Sequence, residues 1–239
     1  MNIIVTGASK GIGFAIAKKF ASQKEKNAIG MCSRSDGELG SAVSELRKIS
    51  PKHDYFPKVC DVSQENDVNT FITEYEKKFG AIDVLVNNAG FGIFKPVLQM
   101  TKHEFESVLA TNLRGAFLCT RAALPKMRER KSGTIITISS LAGKNGFPGG
   151  TAYCASKFAV RGMMQCLFLE VRTDNIRFVT VNPGSVDTEF FTGENHGSGI
   201  KSKKALMADD IAACVELAAS LPQNADISDV DVRPTNPKG

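Results

Sequence analysis

The feature that most restricts this chain is a recurring pattern of short apolar runs, each followed by a helical pattern. The runs stand at Ile3-Ile4-Val5, 28–32, 55–60, 82–86, 134–139, 176–181 and 227–232. A strand with one wet face alternates polar and apolar residues, so runs that stay apolar mark strands covered on both sides. A helix between successive strands makes their pairing parallel and supplies the two covers. The expectation is an α/β fold with a doubly wound, seven-stranded parallel sheet and helices on both faces. Helical spacing agrees from Gly11 to about Ser22, at Leu39, Val43, Leu46 and Ile49, from Lys102 to Arg130 behind a Thr101-x-x-Glu104 capping box, and from Thr151 to about Arg172. With 239 residues and no linker, repeat or low-complexity tract, one domain spanning 1–239 is expected.

Composition narrows the function classes. At 42% apolar residues the chain can build a core, and no run is long enough for a membrane span. The N-terminal segment lacks a basic leader and a secretory-length apolar stretch, so a cytoplasmic protein is expected. The net charge of +5 calls for a search for a basic stripe, but Lys126 to Lys131 and the trio Lys201, Lys203 and Lys204 are short and carry no interleaved aromatics. Small anions fit better than nucleic acid. The six cysteines lie in apolar stretches without a Cys-x-x-Cys pair and read as reduced, buried thiols, and the three histidines have no ligand spacing. No metal site is expected.

Thr6-Gly7-Ala8-Ser9-Lys10-Gly11-Ile12-Gly13 sits between the first strand and the first helix, where main-chain N–H groups and the helix dipole can hold a pyrophosphate. Its glycines allow a tight turn and close approach of the phosphates. At the end of the second strand a dinucleotide fold needs a carboxylate for a bare adenosine ribose or a cation for a 2′-phosphate. The chain offers Ser33 and Arg34 there, with Lys10 within reach and no acidic residue at the strand end. NADP(H) is therefore expected over NAD(H). At the other end of the expected cleft, Tyr153 and Lys157 share one face of a helix, Ser139-Ser140 close the fifth strand, and Asn112 stands inside a helix against its propensity.

Gly7 to Gly13, Asp61-Val62, Asn87-Asn88-Ala89-Gly90, Asn112, Ser140, Tyr153-x-x-x-Lys157 and Pro183-Gly184-x-Val186-x-Thr188 together resemble the short-chain dehydrogenase/reductase family over essentially the whole chain. The resemblance implies a Rossmann-type fold in which Asp61 and Val62 border the adenine, Asn88, Ala89 and Gly90 the adenosine ribose and central sheet, and Pro183, Gly184, Val186 and Thr188 the nicotinamide. It further implies a small carbonyl or alcohol substrate. Reducing a ketone builds negative charge on its oxygen, which needs a donor and a proton. Tyr153 can supply both, Lys157 is the cation expected to bring the phenol toward neutral range, Ser140 can donate to the substrate oxygen, and Asn112 can fix a water in a relay to Lys157.

Among members, Cys32-Ser33-Arg34 and the stretch Asp229 to Thr235 are similar to bacterial sepiapterin-reductase-like proteins, whereas a 3-oxoacyl acyl-carrier-protein reductase, the alternative, usually carries a Gly-rich C-terminal segment. A non-catalytic NADP(H)-sensing regulator is the alternative of another class. Residues 184–206 read as a substrate lid. The Thr151 helix is apolar on more than one side, so its second face either packs on a partner subunit, giving the expected homodimer or homotetramer, or is buried within the monomer.

Overall fold

Ile3, Ile4 and Val5 of strand β1 (Asn2–Thr6) have no accessible surface. Their side chains divide between two cores. Ile3 and Val5 meet α1 (Gly11–Ala21), α2 (Asp36–Ile49) and α7 (Ala208–Ser220) on one face of the sheet. Ile4 meets α3 (Glu65–Phe79), α5 (Ala116–Glu129) and α6 (Thr151–Val171) on the other. An all-apolar strand thus serves both sides of a three-layer sandwich. This computed structural model describes residues 1–188, 190, 205–222 and 224–235.

The remaining strands are β2 (Ala28–Ser33), β3 (Asp54–Val59), β4 (Val84–Asn87), β5 (Gly133–Ile138), β6 (Ile176–Pro183) and β7 (Asp229–Val232). They form one sheet in the order β3-β2-β1-β4-β5-β6-β7, and every adjacent pair is parallel. The chain winds outward from β1 through β2 to β3, then returns to lay β4 against the other side of β1. Connections on the two sides of that point turn away from each other and leave a crevice at the carboxyl ends of the strands.

Three expectations need correction. The edge strands β3 and β7 are not buried throughout, because only one flank is paired; Val59 is 48% exposed, and β7 alternates exposed and half-buried residues. The segment from Lys102 to Arg130 is not one uniform α-helix. It comprises α4 (Lys102–Leu109), a π-helical turn over Ala110–Gly115 and α5. The wide turn carries Asn112, and a Cβ at Gly115 would come within 2.7 Å of Val62, so this kink is packed closely against the β3–α3 connection. Finally, Cys166 on α6 is exposed, and Cys214 on α7 is half-buried, packed at the margin of the core rather than within it. Of the expected lid over 184–206, residues 189 and 191–204 lie outside the described residues.

Candidate active site

The crevice is a cavity of about 770 Å³ that runs from the β1–α1 turn and the end of β2 to the start of α6. Gly7 and Gly11 in that turn have φ of 63° and 57°. At Gly7 a Cβ would also lie 2.8 Å from the Cα of Ala89, whereas at Gly11 it would meet only Thr188, at 3.7 Å; the positive φ alone calls for glycine there. Lys10 occupies the N-cap of α1 without a side-chain cap bond, and the first turn holds no acidic residue. The start of α1 therefore lies at the cavity wall, where its first-turn N–H groups and the positive end of the dipole can hold an anion.

Thr6 ties this turn to β4. Its Oγ1 accepts from the N–H groups of Asn88 and Ala89, both at 3.0 Å, while the Asn88 amide donates to the carbonyls of Thr6 and Gly7 at 2.9 and 3.0 Å. Ser33, Arg34, Asp61 and Val62 line the same end, and Arg34 lies 5.9 Å over the Phe91 ring. Asp61 shapes its loop by accepting from Ser63 N–H at 2.9 Å.

The end of the cavity nearest the β1–α1 turn also holds an acid that local sequence spacing does not place there. Glu38 lines it, accepting from Lys10 Nζ at 3.0 Å and from Ser9 Oγ at 3.3 Å. The expectation of a corner without a carboxylate is corrected accordingly. Ser35-x-x-Glu38 has the spacing of a capping box, which was the available signal, but the acid reaches across to the other turn.

At the far end, Tyr153 and Lys157 point inward from the first two turns of α6 and are 8% and 6% exposed. Lys157 Nζ donates to the Ile138 carbonyl at 2.8 Å and stands 5.7 Å from the Tyr153 ring centroid. Ser140 lies beside Tyr153, its Oγ fixed by accepting from Ala142 N–H at 3.1 Å and donating to the Pro183 carbonyl at 3.4 Å. Burial pushes the Tyr153 hydroxyl up to about 12, with its hydrogen bond to Ser140 pulling the other way. Burial also brings Lys157 down to about 8. Desolvating the phenolate outweighs the Ser140 hydrogen bond, so within the protein alone the phenol lies above its ordinary range rather than toward neutral, contrary to the expectation.

Gly90, Pro183, Gly184, Val186 and Thr188 complete the wall. Ser9, Ile12, Asn88 and Ala89 line it too, whereas Gly13 and Asn112 stand behind it. Asn112 Oδ1 accepts from Phe91 N–H at 2.9 Å, and its Nδ2 donates to the Phe91 carbonyl and to Ser156 Oγ, both at 2.9 Å. Since Ser156 in turn donates to the Tyr153 carbonyl, this side chain braces the loop after β4 against α6. No described helix is long and apolar enough to cross a membrane.

A family model described as short chain dehydrogenase matches residues 1–199. Sepiapterin reductase of Chlorobaculum tepidum is 34% identical over 241 residues, covering 98% of this chain and 96% of its own. The 3-oxoacyl-[acyl-carrier-protein] reductase of Chlamydia trachomatis is 33% identical over 223 residues, covering 91% and 89%. Among solved structures, a metagenomic short-chain oxidoreductase in complex with NADP superposes with a TM-score of 0.84 at 36% identity, over 98% of this chain and 97% of that one.

Proposed function

The chain belongs to the short-chain dehydrogenase family of oxidoreductases, and from that premise we propose that it interconverts a small ketone and its secondary alcohol with NADP(H). The observation that carries the reading is the placement, in one cavity, of the Ser140, Tyr153 and Lys157 group and the anion-binding β1–α1 turn beside Arg34. The cofactor fits on the chemistry of its donors: first-turn N–H groups for the pyrophosphate, Ser33 and the Arg34 guanidinium for the 2′-phosphate, and Lys157 for the nicotinamide ribose hydroxyls. When bound, the nicotinamide supplies or accepts the hydride.

The chain's own residues manage the proton. Tyr153, kept protonated through neutral pH, hands its proton to the ketone oxygen as charge develops there, while Ser140 Oγ hydrogen-bonds the same oxygen. The phenolate left behind is stabilised by the Lys157 ammonium. A Cβ at Gly90 would lie 3.0 Å from Asn112 Oδ1 and 3.7 Å from Lys157 Nζ, so the glycine leaves open the space between the two groups that a relay water would need. Such a water would pass solvent protons to Lys157.

In the finer reading, the ketone is of the kind sepiapterin reductases take; the end-to-end match to the Chlorobaculum tepidum enzyme supports it. Phe117, Phe158 and Leu169, at 40%, 47% and 62% exposure on α5 and α6, support a homodimer or homotetramer built on these helices. The test is a substrate panel with sepiapterin, simple ketones and a 3-oxoacyl thioester, each with NADPH and NADH, followed at the nicotinamide absorbance. Reduction of a non-thioester ketone with NADPH is expected. Turnover confined to the thioester would establish the 3-oxoacyl reductase reading instead, and no turnover with any ketone would favour a non-catalytic sensor.

A further inference from the structure

Glu38 has no part in the chemistry proposed above, yet among the described residues it is the carboxylate that bridges the two turns of the cavity's adenosine end. Ser35 caps α2 by accepting from Glu38 N–H at 3.3 Å, but the Glu38 side chain does not return to its own cap. It crosses to Lys10 and Ser9, 28 and 29 residues earlier in the chain. Lys10 holds its carboxyl below the usual range, so it is charged at neutral pH.

We infer that Glu38 is a cofactor-discriminating residue, which engages Lys10 and sets a negative charge beside Ser33 and Arg34, and so restrains the preference for the 2′-phosphorylated cofactor. The inference rests on the proposed reading that this corner receives the adenosine ribose. A phosphate there gains from Arg34 and Lys10 but must share Lys10 with a like charge, whereas bare ribose hydroxyls can donate to the carboxylate. The Lys10–Glu38 pair is 56% and 46% exposed, so it is weak and readily rearranged. Lys10 can turn to the ligand; the Glu38 charge stays. The corner is thus built with opposing elements, a common way of setting a ratio of affinities between two similar ligands.

The test compares Glu38→Gln and Glu38→Lys with the parent by direct titration of NADPH and NADH. The chain has no tryptophan, so the emission of the bound reduced nicotinamide is read against a low background. Glutamine keeps the size and the contact to Ser9 while removing the charge. NADPH is expected to bind about three- to tenfold more tightly to Glu38→Gln, with NADH unchanged or slightly weaker, from the loss of one partly exposed like charge. Glu38→Lys should extend the change in the same direction, and higher salt should narrow it. Weaker NADPH binding by Glu38→Gln would overturn the inference by showing that the carboxylate aims Lys10 at the ligand. Equal changes for both cofactors would overturn it as well. The readout is a change in ratio relative to the parent, so a parent that binds both cofactors alike would refute the NADP(H) reading without deciding the role of Glu38.

Discussion

Gly13→Ala should damage the fold and the nucleotide end together, and the structure sets the size of the effect. A Cβ at Gly13 would stand 2.2 Å from the Gly7 carbonyl oxygen and 2.5 Å from Asn88 Nδ2. Ordinary contact needs roughly 1 Å more, so the start of α1 must retreat from the turn or the Asn88 amide must leave it. Leaving would break the bonds to the Thr6 and Gly7 carbonyls at 2.9 and 3.0 Å, each worth about 1 kcal/mol. Overpacking costs about 1–3 kcal/mol, and replacing glycine by alanine inside a helix returns about 1 kcal/mol. The net loss comes to about 2–4 kcal/mol. At about 2–4 °C per kcal/mol for a chain of this size, Tm should fall by roughly 5–15 °C at fixed protein concentration. NADPH affinity should fall too, because the displaced groups belong to the turn proposed to hold the pyrophosphate. The assay is thermal unfolding with and without NADPH, paired with a cofactor titration. A variant within about 2 °C of the parent and with unchanged NADPH affinity would refute the claim that Gly13 is held by its contact with the turn.

Other outcomes follow from the same geometry. Arg34→Ala should weaken NADPH by roughly tenfold to a hundredfold and NADH far less, the value of a charge-assisted contact to phosphate, with Lys10 masking part of it; Ser33→Asp added to it should move the preference further toward NADH, as a titration of both cofactors would show. The ketone-reduction rate should hold below about pH 8 and fall above it, since burial has lowered Lys157 to about 8 and its ammonium is lost as pH rises; Lys157→Met should be slow at all pH values and lack that limb of the pH–rate profile. Sedimentation should show a dimer or tetramer at micromolar concentration, and Phe158→Glu together with Leu169→Glu should yield a folded monomer; a parent that is monomeric and fully active on dilution would contradict the interface.

What the sequence reveals and what it hides divides on physical lines. The interior strands were legible because burial on both faces leaves an unbroken apolar run, and Tyr153 with Lys157 because helical spacing alone puts them on one face. β3 and β7 obscure that signature, since an edge strand exposes alternate residues. The π turn at Ala110–Gly115 was hidden because a widened turn keeps helical composition; only the fit of Gly115 under Val62 and the hold of Asn112 on Phe91 mark it. Glu38 was hidden for a different reason. Its partners come from another βα unit, and no local pattern states which turns the sheet will set side by side. The raised Tyr153 hydroxyl was likewise beyond spacing, because burial, not proximity to Lys157, decides its direction.

The central claim, that Tyr153 is the proton donor in an NADP(H)-binding site, is tested most directly by Tyr153→Phe. The ring keeps its packing against Phe94, with centroids 5.4 Å apart, and the hydroxyl alone is removed. NADPH affinity should stay within about twofold of the parent while kcat for ketone reduction falls by about a hundredfold to ten-thousandfold, the usual worth of a positioned general acid. A variant that binds NADPH normally and reduces the ketone at nearly the parental rate would contradict the account.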